Sequence, residues 1–216
     1  MKSYGKLVVA LVAGWFVFAV TASALHLFKN PQNRIGVAVA IAATVPIIVF
    51  SIWVATSGGF RQFTLSLNPR ALTFIQSWRV LGVVFVILEA YHVLPAVFAL
   101  PAGYGDMTIG FTAPLAALLL AVPRRRASFI AWQLLGILDL VGAVGLGTTA
   151  GLLDPAGPAM VPMTVLPLSL IPTFAVPLLL ILHLISIAQA KSWNAASTEV
   201  ALGAALSQPE SRRAFS

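Results

Sequence analysis

A chain of 216 residues that is 59% hydrophobic and only 9% charged carries more apolar surface than a soluble fold of that size can hide, so lipid must cover the rest. It contains no cysteine, which excludes disulfides, thiolate catalysis and cysteine-ligated metal or iron–sulfur centres. The formal charge of +7 comes from Lys and Arg residues set between apolar runs, the pattern of a membrane topology signal and not of a nucleic-acid surface.

A hydrocarbon core about 30 Å thick needs about 20 apolar residues in a helix. Six runs meet or approach that length: residues 7–28, 35–56, 78–100, 107–122, 129–152 and 165–188. The sequence therefore reads as an all-α integral membrane protein. Residues 1–190 form a single domain, a six-transmembrane-helix bundle, and residues 191–216 a largely disordered cytoplasmic tail with one helical turn near 200–206. With all six runs spanning, every Lys and Arg except Lys29 and Arg34 falls on one side, which the positive-inside rule makes the cytoplasmic face of an inner membrane, N-in and C-in. Lys2 and Lys6 followed by an apolar stretch and Thr21-Ala22-Ser23-Ala24 also fit a signal peptide cut after Ala24. Apolar character continuing to Phe28 favours an uncleaved span.

Asn68 followed by Pro69 reads as a helix N-cap with proline at the first helical position. The third helix is expected to start there, run along the interface and enter the bilayer near Trp78, leaving Arg79 at the boundary with its head snorkelling to lipid headgroups. Pro101-Ala102-Gly103-Tyr104-Gly105-Asp106 reads as an outer turn, with Asp106 capping a short fourth helix interrupted by Pro114. On the fifth run Gly136, Asp139 and Gly142 recur every three residues and predict a close helix-packing face. The sixth run holds Pro167, Pro172 and Pro177, which predict a bent helix whose freed carbonyls need hydroxyls such as Ser169 and Thr173, neighbouring helices or water.

Depth along these helices, at about 1.5 Å per residue, places Glu89 about 15 Å, Asp139 about 18 Å and His92 about 20 Å from the cytoplasmic face. Isolated ionisable groups at that depth are costly, so Glu89, His92 and Asp139 are expected to face one another in a polar cavity. Two carboxylates there cannot both ionise cheaply, and one is expected to hold a proton or share a cation. Asp106, Arg79, Gln133 and His183 are secondary candidates for the same ion, proton or substrate site.

Glu89-x-x-His92 resembles the Glu-x-x-His element of carboxylate-bridged di-metal bundles, but a single copy is present. Glu89, His92 and Asp139 are thus no more than candidate ligands for one metal ion, and no cofactor is predicted. Haem is not expected, because His26, His92 and His183 fall at three different depths. Gly103-Tyr104-Gly105-Asp106 resembles the Gly-x-Gly-Asp signature of intramembrane aspartyl proteases. Those families pair it with a Tyr-Asp on an earlier helix, which this chain lacks, so the resemblance does not extend to the chemistry.

The functional expectation is a small carrier or proton/cation-linked permease. An intramembrane enzyme, metal-assisted or not, acting on a lipid-like or small apolar substrate is the alternative. A structural subunit of a larger membrane complex is a third. Membrane lipid is the expected partner, with self-association or a larger complex open and no nucleic acid.

Overall fold

The computed structural model describes residues 2–29 and 36–206, with side chains across 4–29 and 36–193. It is all-helical. Helix α1 spans Lys2–Ala24, α2 Val37–Thr56 and the short α3 Gly58–Leu65. A continuous rod follows, made of α4 (Pro69–Ile75), a 3-10 segment (Gln76–Gly82) and α5 (Val83–Ala90). Helix α6 (Ala96–Leu115) runs into a π-helical turn (Ala116–Leu120), and α7 covers Arg126–Leu153. A second π segment (Ile171–Ala175) leads into α8 (Val176–Leu206).

Among the described residues, five helical stretches are long and apolar enough to cross a membrane: Tyr4–Ala24, Val37–Thr56, Pro69–Ala90, Pro123–Leu153 and Ile171–Trp193. Helix α6, 20 residues long before its π turn, matches them in length but is less apolar, because it carries Gly103, Tyr104, Gly105, Asp106 and Thr108.

Local chemistry sets the starts. The Asn68 Oδ1 accepts from the Arg70 and Ala71 amides at 2.9 and 3.4 Å, with Pro69 in the first turn, so the predicted cap of the third rod is present. Ser57 Oγ accepts from the Phe60 amide at 3.2 Å and starts α3. At this end of the bundle the Trp53 and Phe60 rings stack at 3.8 Å, beside Tyr4 and Phe63. The Gln189 amide donates to the carbonyls of Thr64 and Leu67 at 3.1 and 2.7 Å, and Arg126 Nε donates to the Ala190 carbonyl at 2.9 Å. The start of α1, the α3 segment, the turn before α7 and α8 near Gln189 therefore gather at one end. At the other, Leu94, Phe98, Ala150, Met160 and Met163 close an apolar core around the turn between α5 and α6.

The prolines of the last helix act as predicted in part. Pro167 precedes the helix, Pro172 lies in the π segment and Pro177 opens α8. Pro177 has no amide to give to the Thr173 carbonyl. The Trp15 indole N–H supplies that hydrogen bond at 3.1 Å, and the Ser169 hydroxyl donates to Ser23 Oγ at 2.8 Å, so α1 is fastened to the irregular stretch.

Three expectations are corrected. The third and fourth helices meet at residues 91–95, not at Pro101–Asp106, which lies inside α6. Gly142, expected on a close packing face, has nothing among the described residues within 4 Å of where its Cβ would lie, whereas Gly136 does meet a neighbour. Helix α8 continues to Leu206, well past residue 191, where a disordered tail was expected; the remainder of the tail lies outside the described residues.

Candidate functional site

The site is centred on Arg79, which is 3% exposed. Its position follows from the 3-10 winding of Gln76–Gly82. With three residues per turn, side chains three apart eclipse. Gln76, Arg79 and Gly82 therefore stack on one line, and these three are the buried residues of the segment. The line fits against α6 because α6 is glycine-lined there. A Cβ on Gly103 would meet Val86 Cγ2 at 2.7 Å and the Gly82 carbonyl at 3.0 Å, and one on Gly110 would lie 2.8 Å from the Arg79 carbonyl carbon. Only glycine allows that approach.

The guanidinium is shared by two acids from different helices. Arg79 Nε donates to Asp106 Oδ1 at 2.7 Å, and Nη2 donates to Asp139 Oδ2. Nη1 donates to the Gly136 carbonyl at 3.2 Å and lies 3.3 Å from His183 Nε2. Arginine only donates, so His183 Nε2 is the acceptor and the network assigns the proton to Nδ1. Nδ1 donates to Gln133 Oε1, Gln133 Nε2 donates to Thr73 Oγ1 at 3.2 Å, and the Thr73 hydroxyl donates to the Pro69 carbonyl at 2.8 Å. Gly136 leaves room for the imidazole, and Gly105 for the Asp139 carboxylate. Trp132 lies against the imidazole, ring centroids 5.9 Å apart, and gives its indole N–H to Thr112 Oγ1 at 3.0 Å.

The charge does not balance. One guanidinium faces two carboxylates beside a neutral imidazole, leaving one negative charge when both acids are ionised. Arg79 is enclosed, with a side-chain exposure of 1%, while each carboxylate keeps 17%. Two cavities reach Asp106. One, of about 340 Å³, is lined by Trp78, Arg79, Phe85, Leu140 and Ile171 among others, and the second, of about 120 Å³, by Phe98, Met160 and Met163 together with Phe85 and Leu140.

A strip of buried polar groups leads from the site to the end where Gln189 sits. His183, Ser186 and Gln189 are three apart on α8 and each at most 2% exposed, with Gln76 beside them donating to the Leu179 carbonyl at 3.1 Å. Gln76 Oε1, Ser77 Oγ, Ser186 Oγ and Gln189 Oε1 are buried with no hydrogen-bond partner among the described residues.

Of the primary candidates, only Asp139 lies in this cluster. Glu89 stands one residue before the end of α5, and His92 lies in the following turn, exposed and with φ of 54°. Among the described residues neither side chain has a hydrogen-bond or ion-pair partner. The cause is an error of depth. The rod starts at Pro69, so Arg79 lies about 15 Å along it, and Glu89 falls near its far end. Arg79 is therefore buried and paired, not snorkelling. Asp106 is a mid-helix ion-pair partner, not an N-cap. Arg79, Asp106, Gln133 and His183, secondary in the sequence reading, join Asp139 in one network: Asp106, Asp139 and His183 meet Arg79, and Gln133 meets His183. Thr73 and Gln76 were not anticipated; their spacing from Arg79 on one rod was the available signal. Among the described residues no group of three or more His, Cys, Asp or Glu side chains gathers in a form that could hold a metal ion.

Residues 34–190 match a protein family described as Domain of unknown function (DUF8737). The chain belongs to that family. The matched segment runs from before α2 into α8, so it contains the whole Arg79 cluster and leaves α1 outside. No curated protein and no solved structure matches the chain.

Proposed function

We propose that this protein is a small carrier of the inner membrane, crossing it six times with both termini in the cytoplasm, and that transport is linked to a proton or cation exchanged at Asp106 and Asp139. The observation that carries this reading is the sharing of one buried guanidinium by two carboxylates of different helices, one negative charge in excess, beside an apolar cavity. Such a set has two charge states. With both acids ionised, Arg79 bridges them; with a proton or cation on one, Arg79 stays paired with the other. An exchangeable charge beside a ligand space is what coupling requires.

Three irregular stretches support movement. The 3-10 segment Gln76–Gly82 carries Arg79, the π turn Ala116–Leu120 follows Pro114 on α6, and the π segment Ile171–Ala175 borders both cavities. Such interruptions mark hinges and functional sites more often than regular helix does. The strip from His183 to Gln189 gives a proton a polar route from the site toward one end.

That end is also the basic one. Lys6, Arg61, Arg70, Arg124, Arg125, Arg126 and Lys191 sit there, against Lys29 at the other, which supports the N-in, C-in orientation. Arg34, Arg212 and Arg213 lie outside the described residues. The crossing by α6 rests on its length and on the pairing of Asp106 with Arg79, which offsets the cost of the acid inside lipid.

The test is solute-linked proton movement in vesicles. Protein reconstituted with a pH-sensitive dye inside is challenged with small apolar anions, cations and neutral solutes, one class at a time. A dye response that the Asp139→Asn variant loses supports the carrier. Identical responses in wild type, Asp139→Asn and protein-free vesicles for every class overturn it. Product formed without any gradient would replace it with the intramembrane enzyme, and a co-purifying protein required for stability would replace it with the structural subunit.

A further inference from the structure

The two cavities that meet at Asp106 carry a more specific message. They share Phe85, Asp106, Leu140, Ile171 and Val176, so they adjoin as two lobes of one space that reaches Asp106. The larger lobe, about 340 Å³, falls within the range of small-molecule sites, about 300–1,000 Å³. The polar groups on these walls are few. The ionisable ones are Asp106, lining both lobes, and Arg79, lining the larger one; Thr44 and Thr148 border the smaller.

Arg79 is not available to a ligand in the way Asp106 is. Its Nε, Nη1 and Nη2 already donate to Asp106, Gly136, His183 and Asp139, and its side chain is 1% exposed. Asp106 uses Oδ1 for Arg79, whereas its Oδ2 has no partner among the described residues. The acid facing the space is therefore open to a cation, and with both acids ionised the surrounding set carries one negative charge in excess. The remaining walls are apolar and partly aromatic, with Phe85 and Phe98 edge to face at 5.4 Å and Trp78 at the rim of the larger lobe. Aromatic faces and a carboxylate oxygen without a partner both attract a cation, and an apolar wall rejects a strongly hydrated one.

We infer that the cavity between α5, α6, α7 and the Ile171–Ala175 segment binds a lipophilic cation, a molecule with an apolar body and one delocalised or shielded positive charge seated beside Asp106. This rests on the carrier reading above and names the substrate class for its site. An anion of the same shape would meet the Asp106 carboxylate where the two lobes adjoin.

Tetraphenylphosphonium and tetraphenylborate share shape and size and differ in the sign of charge. Their binding to the detergent-purified full chain is measured by calorimetry, with micelles alone as baseline. The expected result is saturable binding of the phosphonium at least about tenfold tighter than that of the borate, a difference of about 1.4 kcal/mol. Asp106→Asn should remove the preference. Leu140→Trp enlarges a side chain that lines both lobes without removing a charge, and should abolish phosphonium binding in a protein that remains monodisperse. Equal or tighter binding of the borate overturns the inference, as does phosphonium binding that survives Leu140→Trp. Phosphonium binding without solute-linked proton movement in vesicles would overturn the carrier and leave this site standing. Proton movement linked to another solute class, with no phosphonium binding, would do the reverse.

Discussion

The Trp15 indole N–H donates to the Thr173 carbonyl at 3.1 Å, and Thr173 is the residue whose carbonyl Pro177 leaves without a helical partner. A helix whose composition could serve as a leader is thereby fastened to the most irregular stretch of the bundle. Trp15→Phe keeps an aromatic ring beside Phe174, whose centroid lies 4.8 Å from that of Trp15, and loses the donor together with part of the indole surface. It should cost about 1–3 kcal/mol, the penalty for an orphaned buried acceptor. Pro177→Ala returns an amide to that carbonyl, so the Trp15→Phe loss should shrink by about half or more in the Pro177→Ala background. Thermal melts of the four proteins measure this, and equal losses in both backgrounds would show that the indole acts by packing alone.

Glycines of one sequence type serve two different ends here. Gly110 has the Arg79–Val80 backbone against it, which cannot retreat without moving Arg79, whereas Gly142 and Gly145 face open space. Gly110→Ala should sharply lower the yield of folded protein. Gly142→Ala should be neutral or stabilising by up to about 1 kcal/mol, since alanine is the better helix former. Monodisperse yield and melting temperature of the two variants decide this, and a tolerated Gly110→Ala would mean that the segment and α6 are less tightly packed than described.

Much of this was legible in the sequence, for identifiable reasons. Apolar runs found the rods, Asn68-Pro69 fixed the start of the third, and Asp139 with Gly136 marked the useful face of α7. The turn was misplaced because Pro, Gly and Asp are turn formers in water. Inside a bundle, Gly103 and Gly110 instead let a neighbouring segment approach, and Asp106 is tolerated because Arg79 meets it. Pairing between helices leaves no trace in one-dimensional spacing. Arg79 was misplaced for a related reason: counting from Trp78 put it at the boundary, and α-helical periodicity does not line it up with Gln76 and Gly82, as the 3-10 winding does.

The Glu89-x-x-His92 spacing gives a prediction by contrast. His92 adopts a left-handed backbone with φ of 54°, which favours glycine, and its side chain is exposed. His92→Gly should be tolerated, with a change in stability within about 1 kcal/mol. Glu89→Gln and His92→Gly should both leave tetraphenylphosphonium binding and vesicle proton movement as in wild type. Loss of either activity in these variants would return the site to the outer end of α5.

The charge arithmetic at Arg79 gives the sharpest test of the cluster. Arg79→Gln leaves Asp106 and Asp139 facing each other without a counter-charge in a mostly enclosed place, a change that breaks a buried pair and costs about 3–5 kcal/mol. Arg79→Lys should fall between Arg79→Gln and wild type, because an ammonium is a point charge that cannot span two carboxylates with a planar fork. The triple variant Arg79→Gln, Asp106→Asn, Asp139→Asn removes both signs together, so it should recover most of the folded yield that Arg79→Gln loses. It should nevertheless show no preference for tetraphenylphosphonium over tetraphenylborate and no linked proton movement. Folded yield by size-exclusion profile, read beside binding, separates the two contributions. A triple variant as unstable as Arg79→Gln would mean that Arg79 holds the bundle through Gly136 and His183, with the acids incidental to its fold.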